Sequence, residues 1–103
     1  MVVEFNNAYL QRIFEGKPVI GKPKYSQSVI LKYKKTVLML QNTENIKELK
    51  KFRGLNFEAL KGDFKGYYSV RVDLNYRLIL SVEKDSIVIT DILIIEDLTN
   101  HYQ

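Results

Sequence analysis

Apolar residues recur along this chain with two different periods, and the change of period divides it. From about residue 26 to 41, Ile30, Tyr33, Val37 and Leu40 step by three, four and three. That is one stripe on a helix of about 3.6 residues per turn, and Lys32, Lys34, Lys35 and Thr36 fall mostly off it. Upstream, Val2 to Phe5 reads as a short strand. Tyr9, Leu10 and Phe14 then keep helical spacing as far as Glu15-Gly16. Asn42-Thr43 offers N-cap side chains for a further helix, with Glu44 in its first turn, where an acid suits the helix dipole. In that helix Ile46, Leu49 and either Phe52 or Arg53 would face inward, and Gly54 would close it in the left-handed conformation. A very short turn before it predicts an antiparallel helix pair.

After residue 66 the period becomes two. Tyr68, Val70 and Val72 alternate with Ser69 and Arg71, the pattern of a half-buried strand. Asp73-Leu74-Asn75 supplies turn chemistry, and Tyr76 to Val82 runs back as its partner. A turn at Lys84-Asp85-Ser86 leads to a last strand from Ile87 to about Leu98. Both alternating sets of that strand are largely apolar, so it is expected to be covered on both faces and central in its sheet. Asp91 breaks the run and marks either a bulge or a local polar contact. Helices first and strands afterwards predict an α+β fold, a helix pair packed on a twisted, mainly antiparallel sheet of about four strands. The 103 residues suit one domain, 1–103, with a single modest core.

Composition narrows the chemistry. A hydrophobic content of 46% fits a globular chain, and no apolar run approaches the roughly 18–20 residues of a membrane span. Glu4, Asn6 and Asn7 interrupt any signal-peptide pattern. The absence of cysteine excludes disulfides and thiolate metal sites and agrees with a cytosolic setting, while a single histidine leaves little scope for zinc. The net charge of +4 is modest but unevenly spread. Residues 17–35 hold Lys17, Lys22, Lys24, Lys32, Lys34 and Lys35 without an acid, whereas residues 83–97 hold five acids against Lys84. That asymmetry points to a polyanionic partner for part of the surface.

The densest chemistry lies between residues 60 and 77, Leu-Lys-Gly-Asp-Phe-Lys-Gly-Tyr-Tyr-Ser-Val-Arg-Val-Asp-Leu-Asn-Tyr-Arg. A glycine-punctuated loop leads into the hairpin, which brings Arg71 and Arg77 together with Lys61 at its mouth. Such cations on one sheet make an anion site. The phrase L-K-G-D-x-K-G-x-x-S-x-R-V-x-x-x-Y-R also resembles the HigB branch of the RelE/ParE toxin superfamily, the toxins of bacterial type II toxin-antitoxin pairs once called plasmid maintenance killer proteins. Val3-Glu4-Phe5 to Glu15-Gly16, Leu55-Asn56-Phe57-Glu58 and the ending Glu96-Asp97-Leu98-Thr99-Asn100-His101-Tyr102 fit the same family in the same order.

The resemblance implies a RelE-like fold and a metal-free, ribosome-dependent mRNA endonuclease without a cofactor. Its cytoplasmic partners would be the ribosome, mRNA and a cognate helix-turn-helix antitoxin of the HigA kind, with no membrane. In such toxins the ribose 2′-hydroxyl attacks the adjacent phosphorus. That reaction needs a base, positive charge around the phosphorane-like state, and an acid for the leaving oxygen. By the resemblance, Arg77 stands at the superfamily's catalytic arginine, Lys61 is a second catalytic cation, and Arg71 and Lys65 bind phosphate. His101 or Tyr102 would transfer the proton; their order departs from relatives that carry Tyr-His. Glu58 stands where some relatives have a histidine, and is either a base or a structural group. Two other readings remain open at this level: a ParE-like toxin that poisons gyrase without cutting RNA, and a degenerate member that only binds its antitoxin.

Overall fold

A computed structural model describes residues 1–85 and 90–100 of the chain. Among them, strands β1 (Val2–Phe5), β2 (Glu58–Ala59), β3 (Tyr68–Arg71), β4 (Arg77–Asp85) and β5 (Thr90–Thr99) form one sheet in the order β1-β5-β4-β3-β2. The helices α1 (Ala8–Phe14), α2 (Gln27–Asn42) and α3 (Ile46–Leu49) complete an α+β architecture. The sheet has one strand more than the expected four. The additional pairing is β2 on β3, where Glu58 lies opposite Ser69 and Ala59 opposite Tyr68. A two-residue strand carries no readable period, so pattern reasoning passes over it. The last strand sits inside the sheet as expected, antiparallel to β4 on one side and parallel to β1 on the other.

Local chemistry accounts for where the helices begin. Asn7 caps α1, its side chain accepting from Leu10 N at 3.0 Å, and Ser26 caps α2 by accepting from Val29 N at 3.2 Å. Each satisfies one of the orphan donors of a first turn. The buried stripe of α2 is Val29, Tyr33, Thr36, Val37 and Leu40; Val29 is buried where the sequence pattern favoured Ile30. The following helix is much shorter than expected. Asn45, not Asn42 or Thr43, caps it, and α3 is a single turn. It is therefore too short to make the antiparallel pair with α2, and α1 packs on α2 instead. The left-handed residue after it is Asn56, at φ 45°, not Gly54.

Fully buried Leu10, Tyr33, Val37 and Leu40 from the helices meet Val70, Leu78, Leu80, Leu93 and Ile95 from one face of the sheet. The Tyr33 hydroxyl reaches out of this core to donate to Leu10 O at 2.8 Å, which spares a buried polar group the cost of desolvation. No helix among the described residues is long and apolar enough to cross a membrane.

Leu93 lies in the middle of β5 with no exposed surface, whereas Leu74, in the β3–β4 turn, is 92% exposed. Leu93→Ala is expected to cost about 2–5 kcal/mol, and Leu74→Ala within about 0.5 kcal/mol. Urea unfolding of the two variants measures both. Comparable losses would mean that the core does not lie on this side of the sheet.

Candidate active site

The face of the sheet turned away from the helices carries the candidate chemistry. Along β4, Leu78 and Leu80 enter the core, so Arg77, Ile79 and Ser81 project the other way. Arg77 is held there by three neighbours. Its Nε donates to Ser69 Oγ at 2.9 Å, and its Nη2 donates to Asn56 O at 2.8 Å. The same Nη2 lies 3.3 Å from Glu58 Oε1 in an ion pair. The arginine side chain is only 13% exposed, against 42% for Glu58. A guanidinium held through its Nε and Nη2 in this way has its plane fixed before any ligand arrives.

Each anchor has a local cause. Ser69 and Glu58 are register partners on β3 and β2, so both fall on the outer face beside Arg77. Asn56 turns its carbonyl toward the guanidinium from a left-handed residue, a conformation asparagine tolerates better than most. Asp73, a conceivable partner for Arg77, is occupied differently. Its Oδ1 accepts from Asn75 N at 2.8 Å and Tyr76 N at 2.7 Å, building the turn that starts β4.

Arg71 and Arg77 are direct cross-strand partners, as the hairpin reading required. Two like charges opposite each other on a sheet are unfavourable by themselves. Glu58 offsets part of this, and a bound anion would offset more.

On the far side of Arg77 the sheet contains a bulge. Ile79 pairs with Asp97 and Leu80 with Ile95, leaving Glu96 as the extra residue. Its two carboxylate oxygens accept from Asn6 Nδ2 and Ser81 Oγ, and Asn7 Nδ2 donates to its carbonyl. Asp91, by contrast, sits in regular pairing and makes a polar contact, accepting from Ile46 N at 3.1 Å. Beyond the bulge, Asp97 and Thr99 share the outer face with Ile79 and Arg77. The loop between β2 and β3 folds over this region, turning on Gly62 (φ 65°) and Gly66 (φ 97°). Phe64 and Tyr67 of that loop line a cavity of about 320 Å³ with Ile79, Asp97 and Thr99.

The sequence-derived candidates are distributed as follows. Arg77 and Arg71 are adjacent across the hairpin. Lys61 and Lys65 are exposed and flank the single 3₁₀ turn Gly62–Phe64 in the loop after β2. His101 and Tyr102 lie outside the described residues; β5 ends at Thr99, the register partner of Arg77. Sequence reasoning left Glu58 without a role and did not single out Ser69 or Asn56 as supports of Arg77. The only signal was the phrase Asn56-Phe57-Glu58, and its contact with Arg77 spans about twenty positions that no periodicity relates.

The basic segment is tied to this same end of the sheet. Tyr25, next to the N-cap of α2, donates its hydroxyl to Leu98 O at 2.8 Å and meets the Tyr76 ring edge-on at 5.8 Å. Tyr9 accepts from Lys24 N at 2.8 Å, and the Lys24 ammonium lies 4.7 Å from the centre of the Tyr9 ring. Burial first, then the neighbouring Asp97 charge, pushes the Tyr25 phenol up to about 12.

The path of the chain is that of small bacterial toxins. It superposes on a YoeB/ParE toxin from Agrobacterium tumefaciens with a TM-score of 0.54 at 18% identity, covering 99% of this chain and 100% of that one. It also superposes on YafQ from E. coli with a TM-score of 0.57 at 17% identity, covering 96% and 91%. At such identities the likeness establishes the fold. The family follows from sequence: residues 3–94 match the family described as RelE-like toxin of type II toxin-antitoxin system HigB, and the chain belongs to it. Among curated proteins, none matches the chain.

The raised Tyr25 phenol gives an alkaline signature. An unfolded tyrosine ionises near pH ~10, so above that pH the unfolded chain sheds the proton that the folded chain still holds. Stability must then fall with rising pH until the folded phenol also ionises. Burial raises Tyr33 in the same direction, adding to the loss. Melting temperatures followed from about pH 9 to 11 are expected to fall, and to fall less steeply in Tyr25→Phe. Identical slopes would show that Tyr25 is not held as described.

Proposed function

We propose that this toxin is a ribosome-dependent, metal-free mRNA endonuclease that halts translation. The observation that carries the reading is the fixed guanidinium of Arg77, buried to 13% exposure on an open sheet face, with Glu58 in ion-pair contact and Arg71 directly opposite. The 2′-oxygen bonds to phosphorus and the bond from phosphorus to the 5′-oxygen breaks. Glu58 takes the 2′-hydroxyl proton, and His101 or Tyr102 supplies one to the departing 5′-oxygen. Arg77 and Lys61 stabilise the charge that accumulates on the phosphoryl oxygens, while Arg71 and Lys65 hold neighbouring phosphates. The products are a 2′,3′-cyclic phosphate and a 5′-hydroxyl.

Two features favour the ribosome as platform. Aligning a flexible strand for in-line attack is worth about 7–11 kcal/mol, more than a few cations on a small sheet supply. The acid-free lysine segment, tied by Tyr25 to the end of β5, suits docking on ribosomal RNA, with affinity that falls steeply as salt rises. In the bacterial cytoplasm a cognate helix-turn-helix antitoxin of the HigA kind would restrain the toxin.

Arg77→Ala is expected to lower cleavage about 10²–10³-fold and to abolish growth inhibition, with circular dichroism confirming a folded chain. Retained toxicity at equal expression would overturn the assignment. Glu58→Gln keeps the shape but cannot accept the proton, and is expected to slow cleavage while nucleic-acid binding persists. Purified protein on naked mRNA, beside the same mRNA on programmed ribosomes, tests the platform: equal rates would refute ribosome dependence. Induction of the DNA-damage response without RNA cleavage would instead favour gyrase poisoning.

A further inference from the structure

The cavity beside Arg77 is walled by two aromatic rings that the core does not use. Phe64 is 49% and Tyr67 38% exposed, although both are large and partly apolar. They stand over Ile79, which is buried on the outer face, apart from the main core cluster. Opposite them is Asp97, exposed and fixed to the sheet as the register partner of Ile79. Its Oδ1 accepts from Leu98 N at 2.8 Å, which sets the orientation of the carboxylate. Neighbouring Glu96 has both oxygens engaged by Asn6 and Ser81 and acts as wall.

We propose that this cavity is a nucleobase subsite that selects guanine in the strand presented to Arg77. The inference rests on the endonuclease reading given above. Exposed aromatic rings over an apolar floor suit a flat π-system, as in single-stranded RNA recognition, where unstacked bases lie against aromatic side chains. A phosphate is disfavoured here, because Asp63, Glu96 and Asp97 all line the cavity. A carboxylate has acceptor sites only. Of the four bases, guanine alone presents two parallel donors, N1–H and N2–H, to a pair of carboxylate oxygens, while cytosine and adenine offer one amino group and uracil one imide N–H. Thr99 joins the two sites: it lines the cavity and is the register partner of Arg77. A base seated against Asp97 would therefore belong to a nucleotide next to the phosphate at Arg77.

The test uses the purified chain and free ribonucleoside 5′-monophosphates, so it requires neither ribosomes nor turnover. Nuclear magnetic resonance titrations with GMP, IMP, AMP and UMP are expected to shift Phe64, Tyr67 and Ile79. GMP should bind roughly tenfold or more tighter than AMP, with IMP, which lacks the 2-amino group, in between. Phe64→Ala should weaken all four, whereas Asp97→Asn should remove the preference for GMP and leave the stacking. Equal affinities, absence of binding, or shifts confined to other parts of the chain would overturn the subsite. A parallel map of RNA ends from the ribosomal reaction separates the two ideas. Cleavage without guanine bias, together with equal affinities, removes the subsite and leaves the nuclease. Selective GMP binding without any cleavage keeps the subsite and removes the nuclease.

Discussion

The extra residue in β5 is the constraint on which the rest of the site depends. Core residues before it are Leu93 and Ile95, and the core residue after it is Leu98. Strict alternation from Leu93 and Ile95 would send Asp97 inward and Leu98 outward. Inserting Glu96 as a bulge reverses the phase, so Leu98 closes the core while Asp97 and Thr99 join the face of Arg77. The bulge does not stand on backbone alone. Asn6 and Asn7, in the segment between β1 and α1, bond to Glu96, and so does Ser81 of β4. A one-residue irregularity therefore fixes which side chains join the outer face with Arg77 and which hold the helices.

Arg77 illustrates how charge is accommodated on such a face. A guanidinium that is mostly withdrawn from water loses hydration, and only well-placed partners offset that loss. Ser69, the Asn56 carbonyl and Glu58 supply them, each from a different segment. Arg71 stands directly opposite on β3, and two like charges so placed disfavour the pairing by themselves.

What could be read in the sequence was what short-range periodicity encodes. The stripe of α2, the β3–β4 hairpin and the juxtaposition of Arg71 with Arg77 all follow from spacings within about a dozen residues. The interior position of β5 was legible because both of its alternating sets are apolar, and for the same reason its bulge was not: with no polar face to mark the phase, a slip leaves no trace in the pattern. The Glu58–Arg77 pair and the parallel pairing of β1 depend on contacts across about twenty and ninety positions, and the two-residue β2 is too short to show a period. Only the assembled sheet specifies those. The expected long second helix failed for a local reason, since Asn45 captures Glu48 N and the turn ends at Leu49.

Stability and chemistry are thus assigned to opposite faces of one sheet, and the alternation of β4 is what separates them. Leu78 and Leu80 bind the sheet to the helices, while Arg77, Ile79 and Ser81 on the other face hold the Glu58 ion pair, the cavity floor and the bulge. Substitutions on the outer face can change the candidate site without touching the packing of α2. Ser69 is the exception, because it is fully buried and also bonds Arg77. A change there disturbs the guanidinium and leaves a void beside β4, so loss of activity at that position cannot be separated from loss of fold unless both are measured.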